Sequence, residues 1–403
     1  MVNIKKGILA IIVILCLILG AVLLPLIAGI NPIDILTGKT VLVTGEAYDD
    51  YKYLSDTYGK MDALKSYIHS YYYKDVDDAA LMEGAYAGLF DGIGDIYSYY
   101  MTAEDYEDFL VSNTGDYSGI GVTMTYNEAG LIYAESVYMG SPADKAGMQT
   151  GDIILSVDGE EYTWERLQEC ASAARGEKGT KVTVTVLRGD NRYDFEITRD
   201  HIVLQSIESK MLDGDIAYIR IDSFIENTYE DFSAALTKLT ADGAKGLIID
   251  MRDNGGGLVD ESTAVADELM NKGVIAYIED NAGNKEYYTA KDGRTALPYV
   301  LLVNGNTASA CEILSAGVQD NEEGTIVGTQ TYGKGIIQVS NELVDGTAVK
   351  LTEYQYFSPS GKEIHGIGIT PDYIVELGED CYDGSGKIIN DLQLKKAVEL
   401  LTK

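Results

Sequence analysis

Beyond residue 200, short apolar strand-like runs alternate with helical runs, and this rhythm leaves few architectures open. IAYIRI (216–221) precedes a helical pattern near 228–240, GLIID (246–250) one near 258–271, and YVLLVN (299–304) one near 308–318. That is the βαβ alternation of an α/β core. Strand-like segments then dominate to about 375, and LQLKKAVELL (392–401) closes the chain as an amphipathic helix. The expected divisions are a core over 201–375 and a C-terminal segment over 376–403.

Upstream the texture differs. Over 115–200, VTMTY and LIYAESV read as a hairpin across 127–130, and KVTVTVLR and YDFEIT as another across 189–192, with helices at SPADKAG and WERLQECASAA between them. Residues 31–114 read as helical. A tyrosine stripe from Tyr48 to Tyr86 suits packing or helix pairing, and the glycine- and aspartate-rich DGIGD (91–95) ends that stretch. Residues 7–30 form an uncharged apolar run of 24, long enough at about 1.5 Å per residue to cross a hydrocarbon core of about 30 Å. Lys5 and Lys6 precede it and no small-residue cleavage site follows, so 1–30 is expected to be a cytoplasmic tip and retained anchor, with the remainder outside the cell membrane.

The 403 residues carry a net charge of −33, which opposes nucleic acid and anionic lipid heads as partners. Four cysteines and three histidines show no metal-type spacing, so no metal, cofactor or disulfide framework is expected.

Two regions carry chemistry. In YSGIGV (117–122), Gly119 and Gly121 let backbone N–H groups converge on an anion such as a free C-terminal carboxylate. The strand from Ile120 can accept an extended peptide. Ile120, Val122 and Leu167 are candidates for the apolar pocket beneath its last side chain. Together with GSPADKAGMQTGDIILSVDG (140–159), this segment resembles a circularly permuted PDZ domain of bacterial proteases. Arg175, in RGEKGT, is a candidate sensor of the bound carboxylate; a surface arginine closing a turn is the alternative.

The second region is NGNTASACE (304–312), which leaves an apolar strand and enters a helix. A serine there faces orphan N–H groups and the helix dipole, although a small-residue helix start capped by Asn306 or Thr307 fits the same residues. In TYGKGIIQ (331–338), Lys334 sits between two glycines, a poor place for a solvated lysine. It can act as a base only if burial depresses its pKa from about 10.4. Gln338 would fall on the same strand face and orient the amine. RDNGGG (252–257) could offer a backbone N–H to a substrate carbonyl oxygen.

With RIDSF (220–224) and SPSGKEIHGIGITPD (358–372), these motifs resemble, in order and over 115–372, the C-terminal processing peptidases, or tail-specific proteases. The resemblance implies a ClpP/crotonase-like α/β catalytic core, with Ser309 as nucleophile, Lys334 as general base and Gln338 positioning it. It also implies an oxyanion hole from the N–H groups of Gly255 and Ala310, with Gly256 as an alternative to Gly255. The expectation is a multidomain α/β serine endopeptidase with a membrane anchor, a helical region and a PDZ-like domain, acting on proteins with apolar C-termini and forming a homodimer. The rivals are a non-enzymatic PDZ scaffold and a Ser–His hydrolase using His365.

Overall fold

The computed structural model describes residues 11–20, 44–127, 129–291, 295–383 and 388–402. The chain divides into two compact units, Met1–Ala85 and Tyr86–Lys403. Residues 11–20 are helical. The rest of the expected 7–30 span lies outside the described residues, and among these no helix is long and apolar enough to cross a membrane.

The first unit contains α1 (Gly45–Tyr71), capped by Thr44, whose Oγ1 accepts from the Ala47 N–H at 3.2 Å. α2 (Asp78–Asp91) follows, and Asp78 at its start accepts from Lys65 at 2.9 Å and His69 at 2.5 Å. No residue of α1 is buried, so Tyr51, Tyr53, Tyr67 and Tyr71 lie exposed along it.

In the second unit, β1 (Tyr99–Met101) and α3 (Ala103–Thr114) precede the PDZ-like region. β2 (Asp116–Gly119) pairs with β9 (Asp200–Val203). The sheet proper runs β3 (Val122–Tyr126), β4 (Ile132–Val137), β5 (Ile153–Val157), β7 (Lys181–Arg188), β8 (Asn191–Thr198), with the short β6 (Glu160–Glu161) against β5. Both expected hairpins form, β3 with β4 and β7 with β8. The helix α4 (Pro142–Ala146) is capped by Ser141. The expected helix at 164–174 starts as a 3-10 turn over Trp164–Arg166 and continues as α5 (Leu167–Ala174).

The βαβ alternation beyond residue 200 folds as a sheet in the order β10 (Ile207–Leu212), β11 (Ile216–Ile221), β12 (Gly246–Asp250), β15 (Tyr299–Val303), β16 (Thr325–Gly328), β19 (Tyr373–Ile374). From β11 to β19 every pairing is parallel, which requires crossovers. α6 (Thr228–Ala241) and α7 (Val259–Leu269) lie within two of them, and α8 (Ala310–Asp320) joins β15 to β16. The two-residue period of these strands sorts their side chains. Ile219, Ile249 and Leu301 enter the core with the three helices, while Tyr218, Ile248 and Leu302 enter a second core under α9 (Leu392–Leu401). The C-terminal helix thus buries its apolar face against the central sheet. A second sheet, β1-β18-β13-β14, contains β13 (Gly273–Asp280), β14 (Lys285–Ala290) and β18 (Ala348–Phe357), with β17 (Ile336–Glu342) paired to β18.

Candidate active site

β15 runs into residues 304–308, and α8 starts at Ala310 with Ser309 as its N-cap. Thr307 and Asn306 are engaged elsewhere: the Thr307 hydroxyl donates to the Met251 carbonyl at 2.9 Å, and the Asn306 amide to Asp253 at 2.9 Å. Ser309 has φ 57° and ψ −119°, a conformation that costs a residue with a Cβ about 1–3 kcal/mol. Backbone bonds hold it. Its N–H donates to Glu312 Oε2 at 2.9 Å, and its carbonyl accepts from the Glu312 N–H at 2.7 Å and the Tyr356 hydroxyl at 3.0 Å.

Glu312 is fully buried and ties the serine turn to the lysine turn. Besides Ser309, its carboxyl group accepts from the N–H groups of Gly333 at 2.8 Å and Lys334 at 2.9 Å, and from Thr331 Oγ1 at 2.5 Å. The buried Tyr356 hydroxyl adds a second tie, reaching the carbonyls of both Ser309 and Lys334. Close approach explains the flanking glycines of Lys334: a Cβ on Gly335 would come within 2.3 Å of the His365 nitrogen, and one on Gly333 within 3.0 Å of the Gly368 nitrogen.

Lys334 is half-buried, with Nζ 4.6 Å from the centre of the Tyr97 ring. Burial, then the like charge of Lys350, hold its pKa below the ordinary lysine value; Asp95 and Glu312 act the other way and are outweighed. Among the described residues no hydrogen bond joins Lys334 to Ser309. Nor, among the described residues, does a hydrogen bond join Gln338 to the amine; its Nε2 donates to Thr352 Oγ1 at 3.0 Å. Ser309, Lys334, Gln338 and Gly255 nevertheless line one cavity, walled by Phe109, Leu110, Val259, Ile336 and Lys350. His365 is exposed and is not part of that lining.

The glycine loop is clamped at both ends. Arg252 is buried and bidentate on Asp250 (2.9 and 2.6 Å), and it also reaches Gln393 at 3.0 Å and Asp391 at 2.9 Å. The Ala308 N–H donates to the Asn254 carbonyl at 3.0 Å, drawing the loop against the serine turn. The Gly256 N–H donates to Asn254 Oδ1 at 2.8 Å, so it is committed within the loop. A Cβ on Gly256 would lie 2.8 Å from Ser309 Cβ, whereas around Gly255 there is open space. Of the two glycine alternatives, Gly255 faces the cavity with an N–H that no described residue takes up. The Ala310 N–H belongs to the first turn of α8, where helix N–H groups lack intrahelical partners.

The other candidate residues meet some distance along the chain fold. Ile120, Gly121, Val122, Leu167 and Arg175 line one groove with Tyr117, Tyr138 and Asp108. β3, not a strand from Ile120, forms its edge, and in the sheet β3 pairs only with β4, leaving its other edge for an added strand. Ile120 itself is buried in the domain core. Gly119 is not in the groove lining: it pairs with Asp200, and a Cβ on it would lie 2.9 Å from the Tyr117 ring. Arg175 forms an ion pair with Asp108 of α3.

Sequence reasoning missed Glu312, Asp95, Tyr97, Lys350 and Thr352. Glu312 could have been found as the third residue after an N-capping serine, the capping-box position. The other four come together only through the β1–β18 pairing, which leaves no local signal.

The peptidase family S41 model matches residues 215–375, a PDZ domain model matches 133–188, and the model named activating protease CtpB N-terminal domain matches 39–105. The chain is 36% identical over 344 residues to the carboxy-terminal-processing protease of Bartonella bacilliformis, covering 83% of this chain and 78% of that one. It is 36% identical over 323 residues to the carboxy-terminal processing protease CtpA of Bacillus subtilis, covering 79% and 69%. Among solved structures, it aligns with a photosystem II D1 C-terminal processing protease at 27% identity and a TM-score of 0.49, over 83% of this chain and 94% of that one.

Proposed function

The chain belongs to peptidase family S41, the carboxy-terminal processing proteases, and on that premise we propose that this serine-type peptidase works through Ser309 and Lys334. One observation carries the reading: a strained serine and a lysine with a depressed pKa open on one cavity, their turns tied by the same buried carboxyl group. Lys334, when neutral, takes the Ser309 hydroxyl proton as the oxygen attacks the scissile carbonyl. The carbonyl oxygen becomes an oxyanion and receives the N–H groups of Gly255 and Ala310. The lysine returns the proton to the leaving amine, and water then releases the acyl-enzyme with Lys334 again as base. Gln338 orients the amine. Because a cation–π contact favours the protonated lysine, the amine leaves the Tyr97 ring as it becomes neutral.

The groove supports a substrate class. An extended chain adds to the free edge of β3, its apolar last side chain enters between Val122 and Leu167, and Arg175 meets its carboxylate. The uncharged 7–30 run behind Lys5 and Lys6 supports a membrane anchor with the peptidase outside the cell. The exposed tyrosines of α1 support pairing with a second copy of the chain.

The decisive test is cleavage of an unfolded protein with an apolar C-terminus by wild type, Ser309→Ala and Lys334→Ala. Activity lost in both variants is expected. Cleavage that survives Lys334→Ala would mean another group is the base, and His365→Ala serves as the control for that outcome.

A further inference from the structure

The residue meant to orient the base is itself oriented, by a chain of hydrogen bonds whose direction is fixed. Asp95 lies in the loop before β1, and its Oδ2 accepts from Ser98 Oγ at 2.6 Å and from Thr352 Oγ1 at 2.6 Å, while Oδ1 accepts from the Tyr97 N–H at 3.0 Å. Burial acts to raise the Asp95 pKa, but these hydrogen bonds and the charge of Lys334 outweigh it and hold it below the usual carboxylate value. An ionised carboxylate only accepts. Thr352 has one hydroxyl proton, and Asp95 takes it, so toward Gln338 the threonine oxygen can only accept. It does so, from Gln338 Nε2 at 3.0 Å. The strands make the placement possible: Gln338 is opposite Thr352 across β17 and β18, and the Thr352 N–H donates to Ser98 Oγ at 2.9 Å.

We propose that Asp95 and Thr352 are positioning residues that fix the polarity of the Gln338 amide, so that its oxygen and not its nitrogen is offered to Lys334. The inference rests on the reading of Lys334 as base and Gln338 as its orienter. The chemistry makes polarity decisive. A neutral amine has two N–H donors and one lone pair. An amide oxygen accepts one N–H and leaves the lone pair for the Ser309 proton. A reversed amide donates its own N–H to the lone pair and quenches the base. Without the committed threonine proton, Thr352 could donate to Gln338 Oε1 and select that reversed state.

The two orientations differ in a measurable way. An amide oxygen stabilises the ammonium, whereas a reversed amide stabilises the neutral amine. The other groups facing the lysine are the Tyr97 ring with Tyr332 behind it, Asp95, Glu312 and Lys350, and of these only Asp95 is altered in the test. The test is kcat and KM against pH for the full-length chain on an unfolded protein with an apolar C-terminus, in wild type, Thr352→Val, Thr352→Ser, Asp95→Asn and Lys334→Ala. Thr352→Val should lower plateau kcat by about tenfold or more with KM unchanged, the loss of roughly one hydrogen bond's discrimination, and should move the acid limb to lower pH. Thr352→Ser, which keeps the hydroxyl, should restore both. Asp95→Asn, which reads the relay from its far end if the valine variant fails to fold, should lower kcat in the same way. General loosening would expose Lys334 to water and move the limb to higher pH, so that result, or plateau kcat within about twofold of wild type, overturns the relay while an inactive Lys334→Ala keeps the base. An active Lys334→Ala overturns both.

Discussion

A lysine is a base only while neutral, so on the proposed mechanism the charges around Lys334 would set the pH at which this peptidase works. Lys350 lines the same cavity, with its amine 4.9 Å from the Phe109 ring centre and 5.3 Å from that of Tyr99. Its positive charge disfavours a second one on Lys334. Removing it by Lys350→Met raises the Lys334 pKa, and activity, which needs the neutral amine, then rises with pH later than in wild type. We expect the acid limb of kcat/KM to move up by about 0.5–1 unit, with Lys350→Arg leaving it in place. Tyr97→Leu keeps the apolar cover over Lys334 but removes the ring face that favours the cation. A contact of about 0.5–1 kcal/mol corresponds to roughly half a unit, in the opposite direction. The two shifts in one set of pH–rate profiles check the sign of each neighbour; a limb that stays fixed in both variants would mean that Lys334 is not the titrating base.

The serine and lysine turns are held in register by two buried side chains, Glu312 and Tyr356. α8 carries the serine, the 331–335 turn carries the lysine, and Glu312 accepts four donors from the two. In Glu312→Gln the amide nitrogen replaces one accepting oxygen and faces N–H groups in a fully buried site. Two donors left unpaired at about 1–3 kcal/mol each predict a destabilisation of about 2–6 kcal/mol, measured as a lower unfolding midpoint, with a fall in kcat because both turns lose their anchor. How far this was legible follows from range. Ser309, Lys334 and the glycine run stood out because each carries a local sign: a serine at a helix start after an apolar strand, a lysine between two glycines, three glycines after a strand. The βαβ order was legible for the same reason, since each strand and helix carries its own period. Asp95, Tyr97 and Thr352 have ordinary local sequence, and only the register of Tyr99 with Lys350 brings them to Gln338 and Lys334. Gly119 pairs with Asp200 outside the groove lining, a placement that its local sequence does not signal.

Across the second unit, α3 connects the two working regions. Asp108 and Val111 line the groove beside β3, while Phe109, Leu110 and Asn113 line the cavity that holds Ser309 and Lys334. Arg175 is paired with Asp108 in this unliganded arrangement. A peptide carboxylate reaching Arg175 would compete with Asp108 for the same guanidinium, because a carboxylate and the Asp108 side chain offer the same two-oxygen fork. On the proposed reading, whatever releases Asp108 would act on the helix that walls the Ser309–Lys334 cavity, a physical route from tail capture to the chemistry. The prediction separates charge from shape. A peptide with an apolar last residue and a free carboxylate should raise kcat on a second, unfolded substrate, whereas the same peptide ending in an amide should not. Arg175→Ala and Asp108→Ala both break the ion pair and should raise basal cleavage, with Arg175→Ala losing the response to the free acid and Asp108→Ala responding less to added peptide. Equal stimulation by the acid and the amide would remove Arg175 from the route and leave the apolar pocket as the sole reader of the tail.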